Sequence, residues 1–202
     1  MLDVLEVYER PYDKNLPVVC MDEKSKQLLK NTRTTIPGKP GKPERADYEY
    51  ARNGTCNLFV AVEPKAGKRT VRVTKHRAKK DYASFIKYLV TKVYKKAKKV
   101  VLVEDNLNTH SKKVLIEMLG KTEGNKIARK IEWHFTPKHA SWLDQAEIEI
   151  HSLEQQCLNR RIPDFYAMQS EVAAWVKKRN RDKCSINWQF TREKAKKKFK
   201  LS

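Results

Sequence analysis

Residues 100–110 read VVLVEDNLNTH, and this stretch decides the fold. Four apolar residues in five positions run into two acids and then into a polar turn. A short, continuous apolar run suits a strand covered on both faces. Alternate residues of a strand share a face, so Val101, Val103 and Asp105 lie together while Glu104 points to the opposite side. Residues 16–24, LPVVCMDEK, repeat the pattern: Val18, Cys20 and Asp22 share one face and Glu23 takes the other. If the two strands are parallel neighbours, Asp22 and Asp105 converge just outside the sheet edge, where open α/β sheets place their sites.

Two converging carboxylates repel each other, and a hard divalent cation relieves the repulsion. A third carboxylate would complete a two-ion site, with the ions about 4 Å apart, suited to in-line displacement at phosphorus. A single acid at a strand end is ordinarily a solvated turn residue. Two on this pattern keep both readings open.

The elements around these strands follow from period and punctuation. Residues 31–54 hold three prolines and three glycines and read as a loop or exposed hairpin outside the core. Residues 55–64 and 68–76 read as two strands joined by a tight link. Tyr82, Phe85, Ile86, Leu89, Val90, Val93, Tyr94 and Ala97 keep helical spacing, with Asp81 as a cap. Residues 111–119 predict a short helix capped by Thr109 or Ser111, and a strand lies near 130–135. Residues 141–160 predict a long helix with a stripe of Trp142, Leu143, Ala146, Ile150, Leu153 and Cys157; residues 166–181 predict another. The order gives an α/β fold, a mixed sheet with helices on both faces.

Composition narrows the partner. The 202 residues carry 44 Lys and Arg against 24 Asp and Glu, a formal charge of +20. Such an excess fits a polyanion, because neutralising phosphates releases counterions. No apolar run is long enough to span a bilayer, and the first residues do not resemble a signal peptide. The four cysteines, Cys20, Cys56, Cys157 and Cys184, form no C-x-x-C pair and read as free thiols in a reducing cytosol rather than zinc ligands or disulfides.

The set VVCMDE, YEYARNGTCNLFVAVEP, VLVEDNLNTH, TPKHASWLDQAEIE and INWQFT resembles the DDE transposases, in the bacterial insertion-sequence branch of the mariner-like superfamily. The resemblance runs from about residue 5 to residue 198. It implies a ribonuclease H-like core of five strands, shared with retroviral integrases. It also implies hydrolysis at transposon ends with two Mg²⁺ or Mn²⁺ ions, and transfer of the freed 3′-OH into target DNA. Carried onto this sequence, the catalytic and metal-binding acids are Asp22, Asp105 and, in SWLDQAE, Glu147.

Glu149 competes with Glu147; the helical wheel puts them on opposite edges of the apolar stripe and only the motif chooses. On that choice Glu149→Gln is expected to leave most activity. Asp144, three residues before Glu147, reads as a neighbour of the site or a solvated acid. Asn106 follows Asp105 directly. His110 and His139 flank the site, either as accessory contacts to phosphate or water or as ordinary helix-start and loop residues. Trp133, Trp175 and Trp188 read as core. The long spacer between Asp105 and Glu147 is expected to loop out at 121–130.

The resemblance divides the chain into a linker remnant at 1–16, a catalytic core at 17–181 and a basic C-terminal tail at 182–202. Family members carry N-terminal helix-turn-helix domains; residues 1–16 read as the end of a linker from such a part, in a truncated form, a split reading frame or a remnant copy. The implied partner is DNA, held by a homodimer, with no membrane, in a bacterial cytoplasm at the nucleoid. This core by itself is expected to bind DNA weakly, with little sequence choice and a steep dependence on salt. Two other readings stay open: another ribonuclease H-like nuclease, and a non-catalytic nucleic-acid-binding remnant.

Overall fold

A computed structural model describes residues 1–45, 47–107 and 110–200. In chain order the elements are α1 (Leu2–Glu9), β1 (Val18–Asn31), β2 (Tyr50–Glu63), β3 (Lys68–Thr74), α2 (Lys79–Tyr88), β4 (Val100–Glu104), α3 (Lys112–Leu119), α4 (Lys121–Arg129), β5 (Ile131–Phe135), α5 (Gln145–Leu153), α6 (Phe165–Arg181) and α7 (Arg192–Phe199). Among the described residues the sheet has five strands in the order β3-β2-β1-β4-β5. The β1–β2 and β2–β3 pairs are antiparallel, and β1–β4 and β4–β5 are parallel.

Strand alternation sorts the core into two sides. Val19, Met21, Phe59, Ala61, Val100 and Leu102 face α2, α3 and α4, where Tyr82, Phe85, Ile86, Leu115 and Ile127 are buried. On the other side Cys20, Val62, Val101 and Val103 meet α1 and the start of α5, while Leu58 and Val60 meet α5 and α6. Each large apolar side chain so buried contributes on the order of 1.5–3 kcal/mol. The helices covering both faces thus follow from the unbroken apolar run in β4.

Local chemistry sets several boundaries. Ser111 caps α3, its hydroxyl accepting from the Val114 N–H at 3.3 Å; Thr109 lies outside the described residues. Asp81 does not precede α2 but sits inside its first turn, accepting from the Ala78 N–H at 3.0 Å. The helix predicted through Ala97 is α-helical only to Tyr88, then widens into a π turn, Leu89–Val93. Residues 141–160 split likewise into a 3-10 turn (Ser141–Leu143), α5 and a π turn (Glu154–Leu158). Trp142, placed in the apolar stripe by spacing, is exposed and meets Phe190 edge-on. The 3-10 turn rotates it off the α-helical face.

Three further expectations change. The spacer at 121–130 is helix α4, packed so closely on α3 that a Cβ at Gly124 would stand 2.6 Å from the Ile116 Cα. Residues 1–16 contain α1, whose Val4, Leu5, Val7 and Tyr8 are buried against the sheet, so this segment is part of the body. The basic tail carries α7, tied to α1 where the Arg192 Nε meets Glu9 at 2.8 Å. Of the stretch 31–54 read as a loop or exposed hairpin, Asn31 ends β1 and residues 50–54 begin β2, so only 32–45 and 47–49 are irregular, anchored by Arg161, which donates to the Asp47 and Tyr48 carbonyls.

Gly67, at φ +61°, closes the β2–β3 turn with its Cα side pressed on the backbone at Lys183; a Cβ there would stand 2.5 Å away. Gly54, at φ +86°, has open space around it. Gly67→Ala is therefore expected to cost about 2 kcal/mol or more and Gly54→Ala about 1 kcal/mol. Chemical denaturation of both variants measures the difference; equal losses would mean that the contact at Lys183 is loose.

Candidate carboxylate site

The β1–β4 register pairs Val18 with Val101, Val19 with Leu102, Cys20 with Val103 and Met21 with Glu104. β4 ends there, so the next residues are Asp105, just past its C-terminal end, and Asp22, inside β1, which runs on beside β2 to Asn31. Helix α5 crosses the same face, with Ala146 packed in one cluster with Cys20 and Val103, and the charge of the next residue, Glu147, is felt at Asp22.

Electrostatics ties the three together. Burial pushes the Asp22 carboxyl up to about 6, against the Glu23 N–H that it accepts at 2.7 Å; the charges of Glu147 and Asp105 add to the rise. All three acids are half-buried. They offer only oxygen donors, which suits Mg²⁺ or Mn²⁺ over softer ions, and a divalent cation would relieve the crowding at Asp22. In donor chemistry the set fits such an ion. Among the described residues, however, no three His, Cys, Asp or Glu stand close enough together to hold one.

The acids passed over at each strand end have other work. Glu104 is fully buried on the opposite face, where the Tyr82 hydroxyl donates to it at 3.0 Å; burial pushes its carboxyl up to about 8. Glu23 joins a buried bridge. The His110 ring meets Asp105 Oδ1 through Nδ1 at 2.6 Å and Glu23 Oε1 through Nε2 at 3.0 Å, and stacks on Tyr82. Burial opposes charge on this imidazole, but the hydrogen bonds to Asp105 and Glu23 outweigh it and raise it to about 10. Neither of the two readings of His110, accessory contact or ordinary helix-start residue, describes it fully: 1% exposed and just before α3, it braces the Asp105 carboxylate.

Glu149 and Asp144 also depart from expectation. Glu149 is fully buried and faces away from the pair, clamped by Arg69 Nε at 3.0 Å and Arg179 Nε at 2.8 Å. Asp144 is not solvated: it is 2% exposed and caps α5, accepting from the Ala146 N–H at 2.9 Å. Burial holds its carboxyl well above the usual range. Asn106 is exposed next to Asp105, and His139 is exposed at φ +63° on the approach to α5. The Tyr82–Glu104 contact and the Glu23–His110–Asp105 bridge had no signal in the sequence beyond the nearness of His110 to Asp105.

The comparisons with known proteins bear on this geometry. The model of the DDE superfamily endonuclease family matches residues 17–169. None of the curated proteins matches the sequence. Among solved structures, the catalytic domain of Mos1 mariner transposase aligns with a TM-score of 0.55 and 12% identity, covering 90% of this chain and 87% of that one. The Mos1 strand transfer complex aligns at 0.56 and 14%, covering 87% and 51%. The Mos1 transposase paired-end complex with left transposon end aligns at 0.55 and 15%, covering 87% and 53%. The chain thus spans about half the length of the transposases in those two complexes. The shared architecture is the ribonuclease H-like fold.

Proposed function

The chain belongs to the DDE superfamily endonucleases, and from that membership we propose that Asp22, Asp105 and Glu147 form its catalytic triad for metal-dependent cleavage of DNA strands at transposon ends, followed by strand transfer. The observation that carries the reading is the parallel pairing of β1 with β4, which sets Asp22 beside Asp105 under the start of α5. The likeness to Mos1 complexes with DNA ends supports DNA as substrate; a homodimer as the working form is part of the same proposal.

Asp22, Asp105 and Glu147 would hold the ions. Bound there, two divalent ions supply activation of the attacking oxygen and stabilisation of the leaving oxygen. His110 fixes the rotamer of Asp105 from behind, with Glu23 as its second anchor. The half-buried setting limits competing water, so charge at the scissile phosphate is felt strongly. The +20 charge draws the polyanionic substrate to the protein. No helix among the described residues is long and apolar enough to cross a membrane.

The test is nicking of a transposon-end duplex by this chain joined to an end-binding domain, in Mg²⁺ or Mn²⁺ and in chelator. Cleavage should appear only with metal; cleavage undiminished in chelator rejects the proposal. Metal binding is also readable without activity. Mn²⁺ at about 100 times its Kd should raise stability by about 2.7 kcal/mol. Asp22→Asn should lose most of that gain, and an equal shift in both proteins would place the metal elsewhere.

A further inference from the structure

The sheet edge opposite the acids carries a cleft of about 580 Å³ whose lining includes Lys14, Lys68, Lys92, Lys95, Lys96 and Lys183. These side chains come from four separate parts of the chain: the approach to β1, the start of β3, residues 92–96 at and just beyond the π turn after α2, and the segment after α6. All are exposed except Lys68, which is partly covered and lies over the Tyr94 ring at 4.7 Å. Elsewhere Lys24 and Lys26 pair with Glu154, Lys79 with Glu117 and Lys87 with Glu123. Among the described residues none of the six has an ion-pair partner. The one acid in the lining, Glu63, is 4% exposed and pairs with Lys68 in the β2–β3 register, so it offsets the charge of that lysine and leaves the other five.

A second observation concerns Lys183. It follows the α6 C-cap Asp182 at φ +46°, the left-handed position where helices favour glycine. A lysine there costs on the order of 1 kcal/mol relative to glycine. Its backbone is pressed against Gly67 in the β2–β3 turn, which sets Lys183 beside Lys68.

We propose that this cleft binds the phosphodiester backbone of duplex DNA, as a second contact separate from the one at the acids. The first lining residue of β1's approach, Pro17, lies five residues before Asp22, roughly 16 Å along an extended strand. A duplex seated on the acids reaches the cleft only by bending around the edge of the sheet or through a second segment. The choice of ligand rests on the proposed DNA-cleaving role; the geometry of the cleft does not.

The test measures binding of a fluorescent duplex to the whole chain in chelator, from about 50 to 200 mM salt, where phosphate contacts give a log–log slope of about −0.9 each. Changing Lys92, Lys95 and Lys96 together to Gln should flatten the slope by roughly 2–3 and weaken binding at least ~10-fold at the low-salt end. The same change at Lys196, Lys197 and Lys198 on α7 removes equal charge and should do less than half as much. Lys183→Gly should raise Tm while flattening the slope by about 1, a combination that damaged folding cannot produce. Equal losses in the two triple variants, or Lys183→Gly binding as wild type does, would overturn the cleft. So would poly-glutamate competing at the cleft as well as duplex does at equal charge. Because chelator removes cleavage, a chain that never nicks DNA can still show the cleft, and a chain that nicks normally can still fail it.

Discussion

Asp105→Asn is expected to lower metal-dependent strand cleavage by about 10³-fold or more while leaving DNA binding within about twofold. The substitution keeps the size of the side chain and its reach to His110, 2.6 Å away. It removes the charge that would hold the ion, and losing several kcal/mol of transition-state stabilisation gives that factor. Glu147→Gln should behave the same way. Because both acids are half-buried at the rim of the sheet, neither change should move Tm by more than a few degrees. The assay is nicking of a labelled transposon-end duplex, with binding followed in parallel on the same preparations. Metal-dependent nicking that survives Asp105→Asn removes this residue from the site.

Glu149→Ala should fail in the opposite manner. Its carboxylate is fully buried between Arg69, whose side chain is also fully buried, and Arg179. Removing it strands two cations with their positive charges uncompensated, a change that costs about 3–5 kcal/mol. In a chain of this size that lowers Tm by roughly 10 °C. Glu149→Gln keeps the volume and loses the charge, so it should destabilise in the same direction by less. The expectation that Glu149→Gln leaves most activity therefore changes its meaning: activity per folded molecule should persist while the folded fraction falls. Melting curves and nicking normalised to folded protein separate the two effects. A Glu149→Gln protein that melts like wild type and cleaves nothing would move the third acid two residues along α5.

Much of this was legible because it is local. The apolar run 100–104 ending in acids announces a buried strand, and period 2 alone puts Asp22 and Asp105 on matching faces and Glu23 and Glu104 on the others. Glu104 is buried against Tyr82 as that sorting requires, whereas Asp105, just past the end of β4, turns its carboxylate to His110, which stacks on the same Tyr82. Helices with a steady apolar stripe, such as α2 and α6, were readable for the same reason. Their ends were less so, since a π turn such as Leu89–Val93 keeps the same residue types and changes only the hydrogen-bond step. Helix α4 escaped because its nine residues include the poor helix formers Thr122, Gly124 and Asn125, and what holds it is contact with α3 rather than propensity.

What the sequence by itself determined is the set of elements, the strand-end acids with their faces, and the surplus of positive charge. Each depends on spacings of a few residues, which the backbone period enforces without help from the rest of the chain. What only the tertiary structure decided is how distant residues are matched. Glu149 is separated from a competing catalytic role by two arginines from β3 and α6. His110 is turned from a surface residue into a buried brace by Glu23, 87 positions away. The lysines from four segments become one cleft when the β2–β3 turn meets the chain just past α6. Charge pairing acts through space over a few ångströms, and sequence separation carries no information about which side chains come that close.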